Sequence, residues 1–92
     1  MPNASFVLPL QHEGSAPMRL VLEPLCKHFT IQPGQKIEIH AICNDQTTNR
    51  AFTVAPNDKC LVIYAPGEIA GFVDQYVTCE GARLTPLQDQ NV

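Results

Sequence analysis

The chain reads as an all-β protein, a small antiparallel β-sandwich or barrel of about seven strands. Three observations predict this. Eight prolines punctuate the 92 residues, and each would deny a helix interior its donor and its space. The two longest spans between prolines, 34–55 and 67–85, carry no i, i+3, i+4 apolar stripe. Short alternating apolar runs recur instead, with turn residues between them.

Taken in order, Phe6 to Leu10 forms a first strand, and Met18-Arg19-Leu20-Val21-Leu22-Glu23 and His28-Phe29-Thr30-Ile31 follow. Pro33-Gly34 suits positions i+1 and i+2 of a type II turn, where glycine accepts positive φ. Beyond it, Lys36 to Cys43 alternates most clearly. Ile37, Ile39, Ala41 and Cys43 face one way, and Lys36, Glu38 and His40 the other. The polar stretch 44–49 is a loop, Arg50 to Val54 a short strand, and Pro56-Asn57-Asp58 a second loop. Cys60-Leu61-Val62-Ile63-Tyr64-Ala65 is apolar on both faces, as in a strand covered on both sides by its own fold or by a partner chain. Pro66-Gly67 repeats the turn signal. Gly71 to Cys79 alternates again, with Val73, Val77 and Cys79 on one face. The chain is expected to be one domain over residues 1–92, with a frayed tail from about residue 86.

Composition narrows the function classes. The apolar fraction is 45%, the charged fraction 16% and the formal net charge −3, so a packed core is expected and long disorder is not. The six basic residues are scattered, and nucleic-acid binding, which needs a basic footprint, is not expected. Met1 to Phe6 lacks a basic start followed by a long apolar run, so we expect no signal peptide and a cytoplasmic location. No run is long enough to span a membrane. In that compartment the four cysteines, Cys26, Cys43, Cys60 and Cys79, are expected as reduced thiols.

The sharpest cluster of chemically capable side chains comes from register. If the strands around Phe29 and Ile37 form a hairpin through Pro33-Gly34, burying both apolar sets requires odd residues to pair with odd. Cys26, His28, Glu38 and His40 then share the opposite face, with cross-strand neighbours about 5 Å apart at Cβ. Those are metal-ligand types, although their spacing matches no zinc-binding motif. A polar, solvated sheet face is the plainer interpretation. Gly34 and His40 fit the start of a cupin motif, but Ile42 stands where its second histidine belongs, and no blue-copper pattern follows Cys79. No nucleophile–base motif, carboxylate couple or phosphate-cradling glycine loop is present, so no enzyme activity and no cofactor is expected. The other unusual feature is apolar excess. Leu61, Ile63, Tyr64, Phe72 and Tyr76 crowd into one region, as core or as an interface of a homodimer or a small protein partner.

Glu23-Pro24 followed by Phe29-Thr30-Ile31-Gln32-Pro33-Gly34-Gln35-Lys36-Ile37-Glu38-Ile39 resembles the opening of a group of small bacterial proteins with an E-P…F-x-L-x-P-G-x-x-x-E-I pattern. Leu61 to Gly67, with its Y-x-P-G, and Glu80 to Leu84 resemble their later half. Together these cover roughly residues 20–84. Members often carry an aromatic where this chain has Leu25 or Ala65. The group is functionally uncharacterised, so the resemblance implies a β domain of bacterial type and carries over no catalytic residue. The functional expectation is therefore a non-enzymatic domain acting through protein–protein interaction or self-association. A metal-binding protein using the Cys26/His28/Glu38/His40 face is the first alternative. A small-ligand pocket near 44–49 and 66–68 is the second.

Overall fold

A computed structural model describes residues 3–44, 51–66 and 72–87. Among them are eight strands and no helix: β1 (Asn3–Gln11), β2 (Met18–Glu23), β3 (Lys27–Ile31), β4 (Lys36–Asn44), β5 (Thr53–Pro56), β6 (Cys60–Tyr64), β7 (Phe72–Cys79) and β8 (Ala82–Arg83). They form two four-stranded sheets. The front sheet runs β1-β4-β7-β8 and the back sheet β3-β2-β6-β5. All pairs are antiparallel except β2–β6, which is parallel. Among the described residues no helix is long and apolar enough to cross a membrane.

Alternation places the core between the sheets. In β4, Ile37, Ile39, Ala41 and Cys43 are all buried, as their spacing predicts, and Glu38 and His40 turn outward. Opposite them the back sheet contributes Leu20, Leu22, Phe29, Ile31 and Ile63, which join Ile37, Ile39 and Val77 in one cluster. Leu20, Leu22, Ile31, Ile39, Ile63 and Val77 are fully buried. Each contributes about 1.5–3 kcal/mol through burial.

The Pro33-Gly34 turn forms as expected: Gly34 has φ 87°, and Gln35 N–H donates to the Gln32 carbonyl at 3.2 Å. The hairpin it was expected to close is absent. β3 pairs with β2, and β4 with β1 and β7. The turn is an arch that carries the chain from the back sheet to the front sheet. Gly34 N–H donates to the His12 carbonyl at 2.8 Å, and His12 N–H to the Gln35 carbonyl at 3.0 Å, so the arch docks on the end of β1.

Four further boundaries differ from expectation. Arg50 lies outside the described residues, and β5 begins only at Thr53. Val73 does not join Val77 on the inner face. The β4–β7 register slips at Ile42/Cys43, so Cys43 pairs with Phe72 and Ile42 with Asp74. Val73 is thus the extra residue of a bulge and is 50% exposed, while Gln75 takes the buried position. Glu80 (φ 52°) and Gly81 (φ 85°) make a two-residue turn into β8, a strand not expected from the sequence. Finally, Leu87 N–H donates to the His28 carbonyl at 2.7 Å, so the chain at residue 87 reaches β3; the rest of the expected tail, 88–92, lies outside the described residues.

Candidate functional site

Separating β3 from β4 divides the predicted polar cluster. Cys26 and His28 lie on the outer face of the back sheet and Glu38 and His40 on the outer face of the front sheet, with the core between them. What remains is two local pairs. Cys26 Sγ is 3.5 Å from His28 Nε2. His40 Nε2 is 3.7 Å from Glu38 Oε1 and 3.0 Å from Thr78 Oγ1. Among the described residues no three His, Cys, Asp or Glu side chains come together as a metal-holding group.

The predicted interface residues also divide. Ile63 is fully buried and Leu61 packs against the core. Tyr64, 47% exposed, points out of the back sheet, and Tyr76 points out of the front sheet. Phe72 lies in β7, but its side chain falls outside the described set. In the chain by itself, Leu61 and Ile63 of the strand 60–65 face the core and Tyr64 is exposed. Of the expected pocket, Gly67, Glu68 and residues 45–49 lie outside the described residues. Pro66 is buried, and its carbonyl accepts a 3.2 Å hydrogen bond from the Cys43 thiol. Burial pushes that thiol up from its ordinary value of 9.0.

The front sheet carries the more extended surface. Across it, Val7, His40 and Tyr76 stand in register. The His40 and Tyr76 rings stack with centroids 4.6 Å apart and planes 4° from parallel. Arg83 lies over the Tyr76 ring at 4.3 Å, which adds a cation–π contact. Asp74 pairs with Arg83 at 3.6 Å and with Lys27 at 3.7 Å. These pairs fill the β4, β7 and β8 side of the face with mutually satisfied groups.

The β1 side is different. β1 is nine residues long, contains no charged side chain, and has its only described strand partner in β4. Its residues alternate between exposed and half-buried, and none is fully buried. Ala4, Phe6, Leu8 and Leu10 face the core but are incompletely covered, and Val7 is 49% exposed on the outside. Among the described residues β1 is an edge strand, and a long, uncharged edge strand is a template on which another strand can pair. Sequence reading noticed β1 only as a first strand. Its edge position depends on strand order, which alternation does not encode.

One functional group of the loop was not anticipated. His12 is buried, and its ring holds the turn after β1: Gly14 N–H donates to Nδ1 at 3.2 Å, and Nε2 bonds the Ala16 carbonyl at 2.6 Å. Because Nδ1 accepts, Nε2 must carry the proton. A side chain on Gly14 would meet the His12 ring at 2.8 Å, which explains a glycine there. A cleft of about 580 Å³ opens nearby, lined by Pro9, Leu10, Gln11, Lys36, Ile37, Glu38, Glu80 and Gly81.

No family model, curated protein or solved structure matches this chain.

Proposed function

We propose that this chain is a non-enzymatic binding domain that self-associates, β1 pairing antiparallel with β1 of a second copy across a two-fold axis. The observation that carries this reading is the nine-residue, charge-free edge of the front sheet. Two further features support a second copy as the occupant. An antiparallel pair of identical strands satisfies two-fold symmetry. Such pairing would also place the half-buried Phe6 and Leu8 of each copy beside those of the other, extending one core into a continuous eight-stranded sheet. β1 does contain Pro9, which lacks a donor, but among the described residues the back sheet's edges are much shorter. Its outer strands are the five-residue β3, which begins with Lys27, and the four-residue β5, which ends at Pro56.

Sedimentation velocity across the micromolar range tests the reading. The wild-type chain is expected to dimerise. Val7→Lys places like charges near the two-fold axis and is expected to weaken the dimer at least about tenfold. Tyr64→Lys, on the back sheet, is expected to leave it unchanged. A wild-type chain that stays monomeric throughout, or a dimer lost only in Tyr64→Lys, overturns the proposal.

A further inference from the structure

The outer face of the back sheet holds a cluster that β1 pairing does not use. Cys26 follows Pro24 and Leu25 in the turn between β2 and β3. Of the four cysteines, all free, it is the exposed one. His28 Nε2 lies 3.5 Å from its sulfur, and His28 Nδ1 lies 3.2 Å from Arg19 Nη1. A guanidinium only donates, so Nδ1 accepts and the proton resides on Nε2, aimed at the sulfur. With its proton on Nε2 the imidazole is a hydrogen-bond donor to the sulfur rather than a base, and Arg19 fixes its orientation. One N–H of Arg19 is used on His28. Its other donors suit a carboxylate, which a guanidinium binds through a planar fork. Glu23 shares this outer face four residues further along β2.

The other thiols lack this combination. Cys43 is buried and bonded to the Pro66 carbonyl. Cys79 is half-buried beside Gln35 Nε2 at 3.7 Å, and Cys60 is half-buried beside Asn57 Nδ2 at 3.5 Å. Neither has an imidazole on its sulfur.

We propose that Cys26 is a modification site that takes a small carboxylate-bearing thiol by exchange with that thiol's disulfide. The anionic Cys26 sulfur attacks one sulfur of R–S–S–R. A Cys26–S–S–R bond forms, the R–S–S–R bond breaks, and its electron pair leaves on R–S⁻, which takes up the proton that Cys26 released to solvent. Cys26 is oxidised to the disulfide level and half of the reagent is reduced, so the disulfide is the only oxidant required. His28 donates to the reacting sulfur, and Arg19 holds the carboxylate of the incoming group.

The test uses two disulfides of opposite charge, 3,3′-dithiodipropionate and cystamine, with site occupancy read by peptide mass spectrometry. Cys26 is expected to be modified before Cys43, Cys60 and Cys79. Relative to the same chain unfolded in urea, the folded chain is expected to favour the anionic reagent over the cationic one by about threefold to fivefold. Arg19→Gln is expected to remove that preference, and His28→Ala to slow both reagents, with circular dichroism reporting the fold of each variant. Modification that starts at another cysteine overturns the proposal. So does a folded Cys26 with no charge preference, or a preference that survives Arg19→Gln in a folded variant.

Discussion

The two sheets share one core but are built on different terms. From the back sheet, the buried positions of β2, β3 and β6 are hydrocarbon: Leu20, Leu22, Phe29, Ile31 and Ile63. Even Val21, on its outer face between His28 and Val62, is 7% exposed. The front sheet mixes Ile37, Ile39 and Val77 with a thiol at Cys43 and an amide at Gln75. Among the described residues it also ends in β1, whose inward residues are only half covered. The difference separates two jobs. The back sheet supplies most of the dry packing, and the front sheet buries polar groups and, among the described residues, has a half-covered edge.

The sharpest way to break this contrast is to delete the same atoms from both sheets. Leu22→Ala empties a site that is 0% exposed and is expected to cost about 2–5 kcal/mol in chemical denaturation. Leu8→Ala, at the half-buried edge, is expected to cost about 1–2 kcal/mol in the dilute chain, because its site is already partly solvated. Equal losses at low concentration would remove the distinction between a dry back sheet and a half-covered front edge.

The next effect has the opposite sign. Gln75 is fully buried and neither Nε2 nor Oε1 has a hydrogen-bond partner. Its backbone carbonyl is served by Lys27 Nζ at 2.7 Å, but among the described residues no group pairs with its side-chain amide. Gln75→Leu is expected to raise stability by about 1–3 kcal/mol, read from the denaturant midpoint at unchanged slope. A destabilised variant would show instead that the amide makes bonds worth more than the hydrocarbon.

The smallest effect is confined to alkaline solution. Desolvation raises the Cys43 thiol, so the folded state holds this proton to higher pH than the unfolded state does. Above the ordinary value of 9.0 the unfolded chain binds fewer protons, and stability falls as pH rises until the folded thiol also ionises. The slope from this one group is at most about 1.4 kcal/mol per pH unit. Cys43→Ala is expected to flatten that limb of the stability profile, although it lowers stability at neutral pH. An unchanged alkaline slope would assign the effect to another group.

Much of the fold was legible because side-chain alternation reports burial directly. In β4 every inward and outward assignment follows from the period of two, and Gly34 takes the positive φ that its turn requires. The candidate polar site was not legible, for a specific reason. A hairpin and an arch both bury Phe29, Ile31, Ile37 and Ile39. In a hairpin the two strands lie side by side and share an outer face; in an arch they face each other and their outer residues point apart. The residue pattern is the same in both cases, so alternation alone places His28 and His40 on one surface, whereas they occupy opposite ones. Val73 failed for a related reason: a bulge shifts parity without any change in composition.

By itself, then, the sequence determined the all-β class, the inner residues of the central strands, and the Pro33-Gly34 turn, because these depend on local sterics and on which side chains avoid water. Only the tertiary structure decided the partner of each strand. It set β3 and β4 in different sheets, made β2 and β6 parallel neighbours, left β1 at an edge and brought Arg19, His28 and Cys26 together. Backbone hydrogen bonds are chemically alike along every strand, so pairing is selected by how the whole set of apolar faces closes on one core.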